Sequence, residues 1–504
     1  MSVLNLAAPS TALPDAAFAL RPSACPGLLR IVAARDGGLC RIKLPGGVLS
    51  AQQAVAIAAA SVRHAAGGVE ITNRANLQVR GVRGGEEAKL IAALVDAGLG
   101  PLPGRVAGSG SRGSDETSAA DMQLTSAADD VRNVMISPAA GRDPFALFDT
   151  RPLCAELLVL LQSDARFAAL SPKFALLLDG GERLARVDHP HDVWLAATQT
   201  QDGVRFVLGL AGCPSMTLNA RTGIAKQAAS GRPGASTATP NARDSIALAA
   251  VLPSQVPALI HALLHTFLDL AAADATRMRD LLAAHSIDAV LQHAQRYVDF
   301  DLTRDTSLAD WHRSTPADPA LRLGAHAQRM PGTWHVGAQP PPGRLDAATL
   351  HALAALAHEH GNGTLHMTPW QSVLLPDIAT HATRAVVTAL QTLGLTCDPA
   401  HPLARLIACT GSSGCAKGLA DTQADARLLA ARLPDGVDVH LSGCPRSCAA
   451  AHRAPYTLLA VARGLYDLYR RDASPDFGRR VAQQLTLEQA AAMLEQLARS
   501  PLDA

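Results

Sequence analysis

Aromatic side chains are scarce in this 504-residue chain, 3% of residues against 48% apolar overall, so a large core has to be filled by Ala, Leu and Val. Excess charge of either sign is missing too: 45 basic and 44 acidic residues leave a formal net charge of +1. Such a chain projects no field able to gather nucleic acid or a membrane surface, and any cationic function must be local. Long apolar runs are absent. The longest uncharged stretch, Ser245 to Leu268, contains Pro253, Gln255, Pro257 and two histidines, which suits a membrane span poorly. Met1 to Pro22 lacks a cationic start followed by an apolar block, so no secretory signal is expected, and with it no disulfide framework. No GxGxxG element follows a strand, so reducing equivalents are expected from an external donor or reductase rather than from a bound nucleotide. These absences read as a soluble, cytoplasmic protein of roughly three domains, with no nucleic-acid or membrane partner.

What is present is concentrated in four cysteines. Cys409 and Cys415 form a C-x5-C pair, 28 residues intervene, and Cys444 and Cys448 form a C-x3-C pair. Gly411, Gly414 and Gly443 flank them, so the backbone can approach closely and offer N–H groups to sulfur. Four thiolates on small turn-forming loops suit an iron–sulfur cluster. Structural zinc sites usually pair cysteines two to four residues apart, which a C-x5-C half does not match. Cys25, Cys40, Cys154, Cys213 and Cys397 are scattered without pairing spacing and include expected core residues.

Helical periodicity spans Ala51 to His64, Val256 to His293, Ala347 to His360 and Thr422 to Arg432. Strand-like runs fall at Gly38–Leu44, Gly68–Val82, Phe174–Leu178, Val204–Leu210, Gly363–Leu375, Val437–Leu441 and Thr457–Ala462. Their interspersion argues for α+β or α/β layers. Gly104 to Thr125 and Lys226 to Arg243, rich in small and polar residues, read as linkers or surface loops. The order of elements also repeats at nearly 300 residues: strand, helix 51–64, turn and strand 69–74 correspond to strand, helix 347–360, turn and strand 364–370. Thr72 then pairs with Thr368, Arg74 with Trp370, and the stretch from Arg132 with that from Arg405. A duplicated unit predicts a pseudo-twofold molecule with one site where its halves meet.

Four segments carry a resemblance: Thr72-Asn73-Arg74-Ala75-Asn76-Leu77-Gln78; Val131-Arg132-Asn133-Val134 followed by Ser137 to Gly141; Leu170-Ser171-Pro172-Lys173-Phe174; and the cysteine quartet. In this order they resemble the sirohaem-type sulfite and nitrite reductase superfamily, from about Arg21 to about Gly464. Within it they resemble the precorrin-3B synthase family, on Arg21 to Leu28, Gly343 to Asp346 and Thr368 to Gln371. The resemblance implies an α+β, duplicated nitrite/sulfite reductase-like fold. It would comprise two ferredoxin-like half-domains (19–101 and 316–395) and two α/β haemoprotein-like domains with pseudo-twofold symmetry: 120–315, with a helical linker, and 396–504, carrying the 4Fe-4S cluster on Cys409, Cys415, Cys444 and Cys448. Arg74, Arg80, Arg132 and Lys173 are the expected substrate-binding cations, Arg pairing carboxylates in bidentate fashion and Lys as a point charge.

One departure separates the members. Where the reductases carry a second Lys, two residues after the first, this chain has Ala175. An apolar residue handicaps proton delivery to sulfite or nitrite, while oxygenation needs it less. The precorrin-3B synthase resemblance implies hydroxylation of precorrin-3A at C20 by O2, with γ-lactone formation, in aerobic cobalamin biosynthesis. It also implies an additional mononuclear non-haem iron. The alternative is an assimilatory sulfite or nitrite reductase with sirohaem, in which Cys448 would bridge cluster and sirohaem iron. Two His and one carboxylate often hold oxygen-activating iron. The candidate groupings are His189-Pro190-His191-Asp192, the helical pair His261 and His265, and His358-Glu359-His360, and none is singled out. A non-catalytic electron-transfer or zinc-stabilised scaffold is the reading from another class.

Overall fold

The structure, a computed structural model, describes residues 25–102, 119–215, 246–450, 454–472 and 477–499, and for 119–123 the backbone alone. The opening motif before Cys25 and the whole of the expected 226–243 linker lie outside the described residues. The end of the other expected linker, by contrast, is helical: Ala119–Asp130 forms a helix.

Two mixed units interlock through exchanged strands. The first sheet orders the strands Val32–Ala34, Gly37–Ile42, Leu77–Val82 and Gly68–Ile71, and is completed by Arg344–Asp346 from the second half of the chain. The second sheet orders Gly324–Ala327, Thr333–Ala338, Val373–Ala379 and Thr364–Met367, and is completed by Val48–Ser50 from the first half. The helices Ala51–His64 and Ala347–His360, each beginning directly after a lent strand, pack on one another. Leu49, Ile57, Leu345 and Leu353 belong to a single apolar core that runs through both sheets. Because neither half can withdraw its strand without opening that core, the two form one body. The boundaries of both helices are set by side chains: Ser50 and Gln53 make a reciprocal capping box, and Asp346 accepts from Thr349 N.

The turns show the duplication atom by atom. Thr72 N donates to Asn76 O (2.8 Å) and Ala75 N to Thr72 O (3.1 Å), while Thr368 N donates to Ser372 O (2.9 Å) and Gln371 N to Thr368 O (3.1 Å). In each turn the threonine Oγ1 accepts two backbone N–H groups. Ala75 (φ 57°) and Gln371 (φ 62°) take the left-handed conformation at the same step. The runs Gly68–Val82 and Gly363–Leu375, expected as strands, are thus each two strands and a turn. Both apolar patterns continue through residues that a backbone reversal separates.

The remaining two sheets share one topology. Val134–Met135, Leu176–Asp179 and His191–Thr200 run parallel, followed by antiparallel Gly203–Gly212 and Ala249–Val251. Leu406–Ala408, Val439–Ser442 and Tyr456–Ala462 run parallel, followed by antiparallel Leu465–Arg470 and Arg479–Leu485. Each has its own apolar core. The long helix expected over Val256 to His293 is three helices, Val256–Leu270, Met278–Ala284 and Ile287–Ala294. The Asp280 carboxylate takes the N–H groups of Thr276 and Arg277, and Ser286 caps the third helix, so local side-chain hydrogen bonds break the period.

Candidate cofactor and substrate cavity

The cysteine loops leave the carboxyl ends of parallel strands, where such sheets commonly build their sites. Cys409 follows Leu406–Ala408, and Cys444 follows Val439–Ser442. The loops are drawn together tightly. Gly411 has φ 69°, and a Cβ there would stand 2.6 Å from Ala420 O. A Cβ on Gly443 would meet Cys409 Sγ at 3.4 Å, and Gly443 N donates to that sulfur at 3.2 Å. Thr422 Oγ1 lies 3.4 Å from the same sulfur and donates to Cys409 O. Cys448 opens onto a cavity, yet its thiol pKa is pushed up by burial, and the thiols of Cys444, Cys409 and Cys415 add to the effect. The other three thiols are thus near enough to act on that of Cys448.

No three of the four come within 4.8 Å of one another. Tetrahedral zinc with bonds of ~2.3 Å would draw its sulfurs to about 3.8 Å apart. The glycine-lined cradle and the N–H donated to sulfur suit a cluster that takes one thiolate at each of four corners. Of the other cysteines, Cys40, Cys154 and Cys397 sit in apolar cores, as expected, and Cys213 is also buried. Cys25 differs, for it lines the cavity.

That cavity, about 970 Å³, lies between the cysteine unit and the first half of the chain. Arg41, Lys43, Arg74, Lys173 and Arg446 line it, against one carboxylate, Glu70. Glu70 is itself engaged by Thr410 Oγ1 (2.8 Å) and Gln423 Nε2 (3.2 Å). The left-handed turn at Ala75 presents Arg74, and Asn73 Nδ2 donates to Cys448 O at 3.2 Å, so cation and cluster loop are positioned by one turn. Among the described residues no carboxylate pairs with the Arg74 guanidinium. Burial, then Arg277 and Arg41, lower its pKa to about 10, still charged at neutral pH.

The other expected cations have different placements. Lys173 is exposed on the cavity wall. Arg132 is paired with buried Asp129 (3.1 Å) and lines a small adjoining cavity of about 10 Å³ with Arg74, Ala175 and His191. Arg80 lines neither cavity. It binds Asp36 (2.9 and 3.0 Å) and donates to Gly414 O (2.6 Å), fastening the first sheet to the cysteine loop, and its expected substrate contact is thereby corrected to a structural one. The cavity residues Arg41 and Lys43 were not singled out from the sequence. The alternation of the strand Gly37–Ile42, which points Arg41 away from buried Cys40 and Ile42, was the available signal.

The histidine groupings separate as well. Asp192 accepts from Ala175 N, Arg277 Nε and Met278 N, so the 189–192 group has no free carboxylate. His189 lines the large cavity, and among the described residues neither ring nitrogen of buried His191 has a partner within ordinary hydrogen-bond geometry, beside the small cavity. Burial lowers the pKa of His191 to about 3, keeping it neutral. His358 to His360 close a helix, with His360 Nε2 3.6 Å from its neighbour Glu359. At the position of Arg74 in the second half, Trp370 is buried against Ala139, Leu184 and Leu374, with the Arg186 guanidinium 5.1 Å from its ring centre. The pseudo-symmetric counterpart of the site is filled by side chains.

Lys43 gives a pH dependence. Burial lowers its pKa from 10.5 to about 8, opposed by Asp129 and Asp130. Its charge is present below about pH 8 and lost above, so polycarboxylate affinity is expected to fall as pH rises from 7 to 9, by up to about tenfold for one charge contact. The same depressed pKa opposes folding below pH 8 and relaxes toward pH 10.5, so the empty protein should gain stability over that window. Titration of binding in Lys43→Met should be flat, and an unchanged slope would remove Lys43 from the site.

Residues 33–97 and 326–393 match the nitrite/sulfite reductase ferredoxin-like half domain, and residues 127–302 match the nitrite and sulphite reductase 4Fe-4S domain. The chain is built of nitrite/sulfite reductase superfamily domains. The second match falls on the unit that repeats the cysteine unit, not on the cysteines themselves, as expected of a duplicated chain. Chloroplastic ferredoxin–nitrite reductase of Zea mays is 27% identical over 81% of this chain and 67% of its own length. Ferredoxin–nitrite reductase of Synechococcus elongatus is 28% identical over 81% and 73%. Precorrin-3B synthase of Sinorhizobium sp is 25% identical over 99% and 94%. The Mycobacterium tuberculosis NirA protein has the same fold, with a TM-score of 0.69 at 21% identity, over 92% of this chain and 80% of that one. The first two of these relatives are reductases. No helix among the described residues is long and apolar enough to cross a membrane.

Proposed function

We propose that the chain is an iron–sulfur oxygenase of the precorrin-3B synthase type, acting on precorrin-3A. The observation that carries the reading is the cavity: about 970 Å³, five cations against one engaged carboxylate, bordered by the thiol of Cys448. Such a wall suits a macrocycle bearing many carboxylates. Ala175, buried beside Arg74 with its N–H given to Asp192, leaves no second lysine to deliver protons. Correspondence over 99% of this chain with a precorrin-3B synthase adds support.

In this reading Cys409, Cys415, Cys444 and Cys448 hold the 4Fe-4S cluster, which supplies electrons one at a time when bound. Arg74, with Arg41, Lys43 and Lys173, clamps the acid side chains and orients the C20 edge. One oxygen atom of O2 enters the substrate, and the other leaves as water with two electrons and two protons from an external donor. The nitrite reductases' ferredoxin is a donor of the appropriate chemical class. Any mononuclear iron lacks a carboxylate ligand at His189 and His191, and no step is assigned to it.

A second reading, a sirohaem-dependent sulfite or nitrite reductase, is favoured by Cys448 opening onto the cavity, where it would be among the residues holding the sirohaem, which would supply electrons to the bound oxyanion. Incubation with precorrin-3A, O2 and a reductant should give a product heavier by one oxygen atom. Tightly bound sirohaem in the purified protein, with nitrite or sulfite reduction and no such product, would establish the second reading instead.

A further inference from the structure

Away from both cavities, three metal-binding side chains converge. His261 and His265 lie one turn apart on the helix Val256–Leu270, and Asp164 caps the short helical turn Ala165–Ala169 facing them. His265 Nε2 is 2.7 Å from Asp164 Oδ2 and 3.1 Å from His261 Nε2, and His261 Nε2 is 3.6 Å from the same oxygen. Around an octahedral ion with bonds of about 2.1 Å, neighbouring donors stand about 3.0 Å apart. The observed triangle brackets that value.

We propose that Asp164, His261 and His265 form a binding site for a divalent first-row transition ion, held by two imidazoles and one carboxylate. The donors are preset. Asp164 Oδ1 accepts from Arg166 N at 2.8 Å, which turns Oδ2 toward the histidines. Tyr297 stacks on the His265 ring at 5.2 Å, and Phe167 meets His261 and His265 at 5.7 and 5.2 Å. The His261 side chain is 39% exposed, so the remaining coordination positions open to solvent. Two nitrogens and one oxygen select zinc, nickel, copper or ferrous iron over magnesium or calcium.

Arg166 competes with the metal. Its Nη1 is 2.8 Å from His265 Nδ1, and a guanidinium only donates, so in the metal-free protein the His265 proton sits on Nε2, pointing at Asp164. A metal on Nε2 moves that proton to Nδ1 and displaces Arg166, which keeps its 2.7 Å pair with Asp269. Removing the guanidinium therefore tightens metal binding, where a merely structural cluster would only loosen.

Zinc is a suitable probe, applied to cluster-loaded protein purified without a polyhistidine tag. Equilibrium dialysis should show one zinc per chain, with a nitrogen and oxygen shell free of sulfur at the zinc X-ray absorption edge. His261→Ala should abolish uptake while iron and sulfide contents stay unchanged, and Arg166→Ala should tighten it about tenfold or more, the scale on which neighbouring groups tune metal sites. If His261→Ala also loses its cluster, Asp164→Asn, which keeps side-chain shape, decides in the same way. No uptake by the parent protein, uptake retained by Asp164→Asn, or sulfur in the zinc shell overturns the site.

Discussion

Cys444→Ala is expected to purify with iron and acid-labile sulfide near zero, and the same result is expected at Cys409, Cys415 and Cys448. In the proposed cluster each loop would depend on the others through the metal, and the protein already ties them together: Gly443, adjoining Cys444, donates to the sulfur of Cys409, and Thr422 bridges that sulfur to the helix Thr422–Ala430. With three thiolates remaining, one corner of the cluster has no ligand, and the binding energy that stabilises the loops goes with it. The sheet Leu406–Leu485 should then unfold at lower temperature than the rest, since its own core is the smaller one beneath these loops. Chemical iron and sulfide determination, followed by thermal melting, checks both halves of the expectation. Cys154→Ala, in the core of the other α/β unit, is the control, and its cluster content should be normal. Full sulfide in any of the four quartet variants would count against the assignment.

Arg74→Met is expected to weaken binding of a uroporphyrinoid polycarboxylate by about 2–3 kcal/mol, on the order of 100-fold. Among the described residues no carboxylate forms an ion pair with the guanidinium, which Asp192 reaches only electrostatically, so a ligand carboxylate would make its first direct pair. Arg74→Lys should recover part of the loss, since it restores charge without the fork. Arg80→Met separates charge from position. Its guanidinium joins Asp36 to Gly414 O, and its loss should loosen the cysteine loop and lower cluster retention before it alters ligand affinity. Fluorescence or calorimetric titration of the three variants distinguishes the roles. Equal losses for Arg74→Met and Arg80→Met would mean that net charge alone draws the ligand.

Much of the chain was legible because its signals are local. The helix ends at 51, 64, 347 and 360 follow from caps and turn residues next to them, and the pairing of Thr72 with Thr368 was readable because the same residue type makes the same turn twice. The breaks in the Val256–Ala294 run were not. Asp280 and Ser286 act there as local caps inside an apolar pattern that continues across them. The exchange of Val48–Ser50 and Arg344–Asp346 between sheets was also hidden, since a three-residue strand carries no mark of the partner it pairs with.

The site divides in the same way. From the sequence alone came the absence of a second lysine at Ala175 and the expectation that four thiols of this spacing share one inorganic centre. Those are properties of residue type and near neighbours. Only the tertiary structure decided which cations face the cavity. Arg74 and Lys173 reach the cavity and Arg132 its small annex, while Arg80, six residues beyond Arg74, turns to Asp36 and the cysteine loop. Which acceptors an arginine meets depends on packing between distant segments, 334 residues apart for Arg80 and the Gly414 carbonyl, and no local pattern encodes such a distance.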